Sequence, residues 1–556
     1  MKLKQKNTYF KNINLKILFI FSLISSYLIG ITHFDITSSL DWNKYEQYLT
    51  LFTYKNVNLT ESQGSLYFYI ITLFVSLQES ILGPYNLSQV LNNGVQLGNF
   101  VLYSIGLFGL YQLLKSYEAS QENSLIVLSI LNFFPPAFYL RLTMKPEIFA
   151  FCLLPYAILL TKKIISKKNL IEALLLAAIL GIIFSTKGSI VGMIALSFIL
   201  LFWKDFKYLI NYKTFVLLTI CITFLLNYEN YLLTQKFIFQ NFVTSNYLYT
   251  ADYKIFYFVD LNLLLTDPYK YLHSNSFISI ALLDTFNDYF DFFWDNDESY
   301  FIQNRIVFFQ NFFIQRYLRE YLGIFLTIIF YLAIIRGIIL KNKYKNFFIL
   351  PIIGYFILII NSLGFPSRNF NPESADTFKV HYIAFLISVS FIFLLIDLID
   401  KTSVYKYFLI FLIPIFLFFM GFPKYYDSPL SNQVIMKFNH SELCYLSIPQ
   451  NENCRSKKLN TCVYDPVLYK YDFEVKTRSI PSKSSYFIPV PLEKNGEILY
   501  SRSREECLQY FNVGYAFKTQ RNFQIIFNKT PFASISILIL IILTSIINFC
   551  RLKKLN

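Results

Sequence analysis

The sequence predicts an all-α polytopic membrane protein of about 12 transmembrane helices, with amphipathic helices on its outer face and a small mixed, β-containing outer domain near the C-terminus. Three observations predict it. About a dozen apolar runs of roughly 15–24 residues are separated by loops, and about 20 apolar residues cross a bilayer as helix. Lys and Arg gather in alternate loops, the mark of cytoplasmic loops. The 556 residues are 55% hydrophobic, 19% aromatic and only 15% charged, with a mean hydropathy of +0.43, unlike a soluble protein. The formal charge of +15 does not point to nucleic acid. The basic residues lie in short loops beside apolar spans, where they set orientation and meet anionic lipid.

Lys2, Lys4, Lys6, Lys11 and Lys16 precede any acid, which places the N-terminus inside. No small-residue cleavage site follows the first apolar run, so Leu15–Ile31 reads as a retained span (15–32) and not a cleaved signal. Residues 33–93 then lie outside. Within them Ser65–Leu82 contains Gln78 and Glu79, and counting it as a span would put Lys162, Lys163, Lys167 and Lys168 outside. It is therefore expected as an amphipathic helix along the membrane surface. The remaining spans alternate inward and outward over 97–115, 124–140, 147–161, 171–185, 189–203, 214–227, 321–339, 346–362, 381–397, 406–421 and 532–549. This division gives a transmembrane domain over 1–421, with outer loops 33–96, 228–320 and 363–380. An outer domain follows over 422–530, and a final helix and tail over 531–556. Both termini fall in the cytoplasm, and a bacterial inner membrane is expected.

Cys152, Cys221 and Cys550 sit in spans. Cys444, Cys454, Cys462 and Cys507 all fall in 422–530. An even number confined to one outer segment fits two disulfides in an oxidising compartment. Zinc is the competing reading, and the spacings lack a C-x2-C pair. Connectivity stays open. Ser485–Pro491 and Gly496–Tyr500 look strand-like, punctuated by proline and glycine.

On this topology acids and bases converge on the outer face. The first loop carries Asp35, Asp41 and Glu46, with Tyr45 in the run Asp41-Trp-Asn-Lys-Tyr45. The third span ends at Arg141-Leu-Thr-Met-Lys145-Pro-Glu147. Pro146 can open the next helix, and Glu147 suits its first turn. The fifth ends at Thr186-Lys187, and the ninth leads into Arg368 and then Lys379-Val-His381-Tyr382. Such a face offers a carboxylate as general base, and Lys145, Lys187, Arg368, Lys379 and His381 to hold a phosphate. A lipid-phosphate donor fits, with its tail between helices and its phosphate among the bases. Each group also has a plainer reading. Asp41 can be a hydrated loop residue, Lys187 can snorkel, Glu147 can cap its helix, and His381 can be an ordinary helix start. The acid-rich stretch Asp284–Glu298 is read as a surface helix and not as a metal site.

The order of these features resembles the C-type (GT-C) superfamily of polytopic glycosyltransferases that use polyprenyl-phosphate sugars. It is most similar to bacterial relatives of protein O-mannosyltransferases and to lipid A aminoarabinose transferases. Asp41-Trp-Asn-Lys-Tyr45 corresponds to the acid-containing first loop, and Gly64-Ser-Leu-Tyr-Phe-Tyr69 to the aromatic surface helix. Glu147 corresponds to the acid after the third span, and Thr186-Lys187 to the Thr-Lys after the fifth. Asn371-Pro through Lys379-Val-His381-Tyr382 is similar to a stretch of mycobacterial arabinosyltransferases. The paired acids of the first loop are absent, and Gly64-Ser65 stands where the family has two prolines. The resemblance implies transfer of a sugar to an acceptor hydroxyl on the outer face, with inversion. Asp41 or Asp35 would be the base, and Glu147 would orient Lys145 or the acceptor. The acceptor is a glycan, lipid or protein. Some members use a divalent cation, and the missing acid pair argues against a catalytic metal here. Two other classes compete: a flippase of lipid-linked sugars, and an envelope-glycan polymerase or ligase. The first predicts repeats or ionisable residues at mid-membrane depth, and the second predicts arginines and a histidine in the large loop. The spans are nearly free of both repeats and ionisable residues, and the loop has Arg305 and Arg316 but His273 as its only histidine.

Overall fold

The computed structural model describes residues 2–33, 45, 48–49, 51–52, 59, 63–82, 87–167, 170–205, 213–236, 257–266, 268, 273, 276–286, 298–363, 379–401, 409, 411–420, 445–449, 485–489, 492–494, 497–499 and 529–555. The helices are α1 Lys2–His33, α2 Ser65–Leu82, α3 Leu87–Ser116, α4 Gln121–Leu131, α5 Pro135–Leu142, α6 Glu147–Lys167, α7 Leu170–Phe184, α8 Gly188–Leu201 and α9 Lys213–Thr234. They continue with α10 Leu261–Thr266, α11 Phe277–Asp284, α12 Glu298–Ile339, α13 Lys345–Phe348, α14 Leu350–Leu363, α15 Ala384–Lys401, α16 Leu412–Met420 and α17 Phe532–Leu555. A 3-10 turn, Val380–Ile383, opens α15. Two short antiparallel ladders pair Tyr445–Pro449 with Ser485–Pro489, and Leu492–Lys494 with Glu497–Leu499. Cys444, Cys454, Cys462 and Cys507 lie outside the described residues.

Among the described residues six helices are long and apolar enough to cross a membrane: α1, α3, α6, α9, α12 and the helix formed by the 3-10 turn with α15. The pair α4 and α5 is apolar enough only when taken together and is bent by 60°, the geometry of a broken span or of a re-entrant loop. The sequence signal for that break is Pro135-Pro136. Neither proline can donate a helical hydrogen bond, so they start a new helix at Phe134. The dozen expected spans are thus not matched one for one. The run at 532–549 lies within the 24-residue α17, and those at 171–185, 189–203 and 346–362 form helices of 15, 14 and 14 residues. At 1.5 Å per residue, about 15 residues cover about 22 Å, short of a hydrocarbon core of about 30 Å.

Contacts fix the helix directions. Tyr27 meets Phe100 with ring centroids 4.5 Å apart, and a side chain at Gly30 would meet Gln96, so α1 runs antiparallel to α3. Gly106 faces Phe151 and Gly109 faces Tyr156, so α3 and α6 run parallel and close. Pro155 leaves the carbonyl of Phe151 without its helical donor, and that oxygen faces Gly106. α8 is antiparallel to α14 (Gly192 by Ile357, Asn346 Nδ2 donating to the Leu201 carbonyl), and α14 to α15 (Gly354 by Ile383). One end of the bundle gathers Lys162, Tyr117, Tyr344 and the Lys343–Asp400 pair at 3.1 Å. The opposite end gathers residues 63–67, 145–147, 185–187, 229–230 and 379–382.

Helix α2 departs from the amphipathic expectation. It packs antiparallel on the first half of α3, with Ile71 and Val75 against Gly98 and Gly94. Its outward side is apolar, with Leu73, Leu77 and Ile81 exposed. Gln78 and Glu79 are half-buried and do not form a water-facing stripe.

The last helix is held at its start by a side chain far back in the chain. Glu229 of α9 accepts from the backbone N–H groups of Ala533 (2.6 Å) and Ser534 (3.0 Å) and from the Ser534 hydroxyl (2.5 Å). These are the donors that a helix start leaves unsatisfied. Glu229→Ala is expected to lower unfolding stability by about 1–2 kcal/mol, measured by thermal or denaturant unfolding in lipid nanodiscs, whereas Glu229→Gln keeps most of it.

Candidate active site

The site is built on the short link between α5 and α6. Asn99 of α3 donates from Nδ2 to the carbonyls of Arg141 (2.9 Å) and Thr143 (2.8 Å), and its Oδ1 accepts from the Tyr67 hydroxyl at 2.9 Å. One buried amide therefore ties α2 and α3 to the link. Burial, and then the Glu147 carboxylate, hold the Tyr67 hydroxyl well above its ordinary range, so it stays a donor. Beneath the link Arg141 is fully buried. Its Nη2 donates to the Ser26 carbonyl at 2.7 Å, while Nε and Nη1 have no acceptor. Its guanidinium sits over Phe138, Tyr103 and Phe100 at 5.0, 5.5 and 6.0 Å, and these ring faces offset part of the cost of the uncompensated charge.

Lys145 and Glu147 point from the end of the link. Glu147 begins α6 one residue after Pro146, and its side chain is 0% exposed. Its Oε1 lies 2.6 Å from the Lys187 ammonium. Lys187 is the cap of α8, where Gly188 starts the helix after an extended residue. The Lys145 ammonium is hydrogen-bonded to Nε2 of His381, both side chains being buried. With the ammonium donating, Nε2 of the imidazole is the acceptor of this bond. His381 and Tyr382 are held by the 3-10 turn. Its first amide, Val380 N–H, donates to Asp284 Oδ2 at 2.5 Å. The Tyr382 ring lies 3.8 Å from the Lys187 ammonium and 5.2 Å from that of Lys145, and packs edge-on against His381 at 4.4 Å. Lys379 is buried just before the turn, and its carbonyl accepts from Tyr382 N–H at 3.1 Å.

The first loop reaches the same place. Gly64 N–H donates to the Thr186 carbonyl at 2.6 Å, and Ser65 N–H to Asn230 Oδ1 at 2.9 Å. A side chain at Gly64 would lie 2.3 Å from the Ser185 carbonyl oxygen, so only glycine fits this approach. Tyr48 accepts from Gln63 N–H at 2.5 Å and stacks on Phe68 at 4.2 Å. Tyr45 stacks on the same ring at 5.6 Å.

Of the residues expected from the sequence, Lys145, Glu147, Lys187 and His381 come together, and Lys379 and Tyr45 lie on the elements around them. Asp35, Asp41 and Arg368 lie outside the described residues. Three expectations change. Glu147 pairs with Lys187 and not with Lys145. Lys187 is held by a buried carboxylate instead of snorkelling. Asp284 is fully buried under the 3-10 turn and is not part of a surface helix. Sequence reasoning missed Tyr382, Tyr67 and Asn99. An asparagine inside an otherwise apolar run was the available signal for the last. Among the described residues no three His, Cys, Asp or Glu side chains gather to hold a metal.

No family model, no curated protein and no solved structure matches this chain. The chemistry is therefore read from the site alone. Among the described residues it is a cationic cluster with the Glu147 carboxylate paired to Lys187, at the end of an apolar helix bundle. Glu147, fully buried against the Lys187 ammonium, positions Lys187.

Proposed function

We propose that the protein is a membrane glycosyltransferase that moves a sugar from a polyprenyl-phosphate donor to an acceptor hydroxyl on the outer face, with inversion. The carrying observation is the meeting of Lys145, Lys187 and His381, from three distant parts of the chain, at one end of the bundle. The lysine-rich opposite end, with Lys162 and Lys343, is assigned to the cytoplasm. Asp41, or Asp35, takes the acceptor proton as the acceptor oxygen bonds to the anomeric carbon. The bond from that carbon to the phosphate oxygen breaks, and the phosphate departs with the electron pair towards the ammonium groups. The packing of Tyr45 and Tyr48 on Phe68 supports this, because these two residues of the first loop sit on the helix whose start, Gly64-Ser65, meets Thr186.

The test is release of lipid phosphate from a panel of radiolabelled polyprenyl-phosphate sugars by purified protein in lipid. Asp41→Asn or Asp35→Asn, one of the two, is expected to lower release at least about 100-fold. A second reading, movement of lipid-linked sugars between leaflets, draws on the buried Arg141 at a broken helix pair. Leaflet exchange without phosphate release would replace the enzyme reading with that one.

A further inference from the structure

Two ammonium groups that are to grip one anion must be held apart and kept charged when the anion is absent. Glu147 does this for Lys187 on one side. His381 Nε2 is hydrogen-bonded to the Lys145 ammonium on the other. What the two lysines share is the ring of Tyr382, 3.8 Å from one ammonium and 5.2 Å from the other. The ring is partly exposed, beside the buried His381 and Lys145. It is fixed from behind by edge-on contact with His381 and by the Asp284 anchor of its turn. An aromatic face attracts a cation through its quadrupole and does so without neutralising it. A carboxylate in the same place would hold the lysines too, but it would compete with the incoming phosphate.

We propose that Tyr382 is a positioning residue whose ring face, and not its hydroxyl, spaces Lys145 and Lys187 and keeps them charged for the anion. Naming that anion as a lipid phosphate rests on the glycosyltransferase reading above. The effect of the ring on the lysines does not. Among the described residues, the charged and titratable groups placed around the ring are Lys145, Lys187, Glu147 and His381.

The experiment uses the full chain in lipid nanodiscs and three variants at this position: Tyr382→Phe, Tyr382→Met, and replacement of Tyr382 by pentafluorophenylalanine. The last keeps the shape of the ring but removes its negative face, so it separates electrostatics from packing and from failure to fold. The first readout is the rate of amine-specific labelling of Lys187 and Lys145 across pH, followed by mass spectrometry without substrate. The second is binding of a long-chain polyprenyl phosphate. Tyr382→Phe is expected to stay within about twofold of the wild type in both. The fluorinated and Met variants are expected to label Lys187 several-fold faster and to bind the lipid phosphate about tenfold more weakly. Labelling of the fluorinated variant equal to that of Tyr382→Phe would overturn the proposal, since the ring would then only fill space. A Phe variant as damaged as the fluorinated one would also overturn it, by assigning the effect to the hydroxyl. If the wild type binds no polyprenyl phosphate, the functional reading fails, and the labelling result still decides the role of the ring.

Discussion

Lys187→Met is expected to be the most damaging single change in the site, and to damage two separable properties. It leaves the fully buried Glu147 carboxylate without its counter-charge, which costs about 3–5 kcal/mol of stability. It also removes an ammonium from the phosphate cluster, so lipid-phosphate release should fall at least about 100-fold. Adding Glu147→Leu separates the two. A buried ion pair replaced whole by apolar groups is often neutral, so the double variant should return to within about 1 kcal/mol of wild-type stability. Its activity should stay lost. Unfolding in detergent reads the first property and the release assay reads the second. An active double variant would show that the pair only holds the helices together, and would remove Lys187 from the proposed chemistry.

Gly64→Ala is the second large effect. The added methyl group would lie 2.3 Å from the Ser185 carbonyl oxygen and 2.7 Å from Thr186 Cα, and both neighbours are backbone. Backbone cannot swing aside as a side chain can. The link from Gly64 N–H to the Thr186 carbonyl must stretch, and Thr186-Lys187 must move with it. Overpacking of this kind costs about 1–3 kcal/mol. A displacement of about 1 Å at a positioning residue lowers turnover by about 100-fold. Gly192→Ala is the matched control, because its nearest neighbour would be the flexible end of Ile357 at 3.5 Å. Equal activity of the two variants would mean that the approach of the first loop to Lys187 carries no function.

The membrane character and the gathering of Lys145, Glu147, Lys187 and His381 were legible because charges are scarce. Lys145, Glu147, Lys187 and His381 each stand at the end of an apolar run, and loop charge alternation sends those ends to one side. The pairing among them was not legible. Glu147 and Lys187 are 40 residues apart and Lys145 and His381 236 apart, and a single sequence has no signal that matches distant residues. Tyr382 was hidden for a different reason. In a chain with 43 tyrosines, one beside a histidine looks ordinary until two lysines are found against its face. The bend between α4 and α5 falls at punctuation that was visible. Pro135-Pro136 lies inside the run 124–140, yet apolarity alone reads that run as one straight crossing. In α2, Gln78 and Glu79 suggested a wet face, but helical rotation turns Leu73, Leu77 and Ile81 outward.

The cap that Glu229 places on α17 joins residues 305 positions apart. Asn230, its neighbour, holds Ser65 beside the Gly64–Thr186 contact. During synthesis the chain emerges from its N-terminus. Every lysine of the cluster can be in place while the ribosome still has about 150 residues to add after His381 before the cap can close. The site is then a product of timing as well as packing. A nascent chain caught before residue 533 carries the whole cationic cluster on a strut whose far end is still open, and the last helix is the part that finishes it.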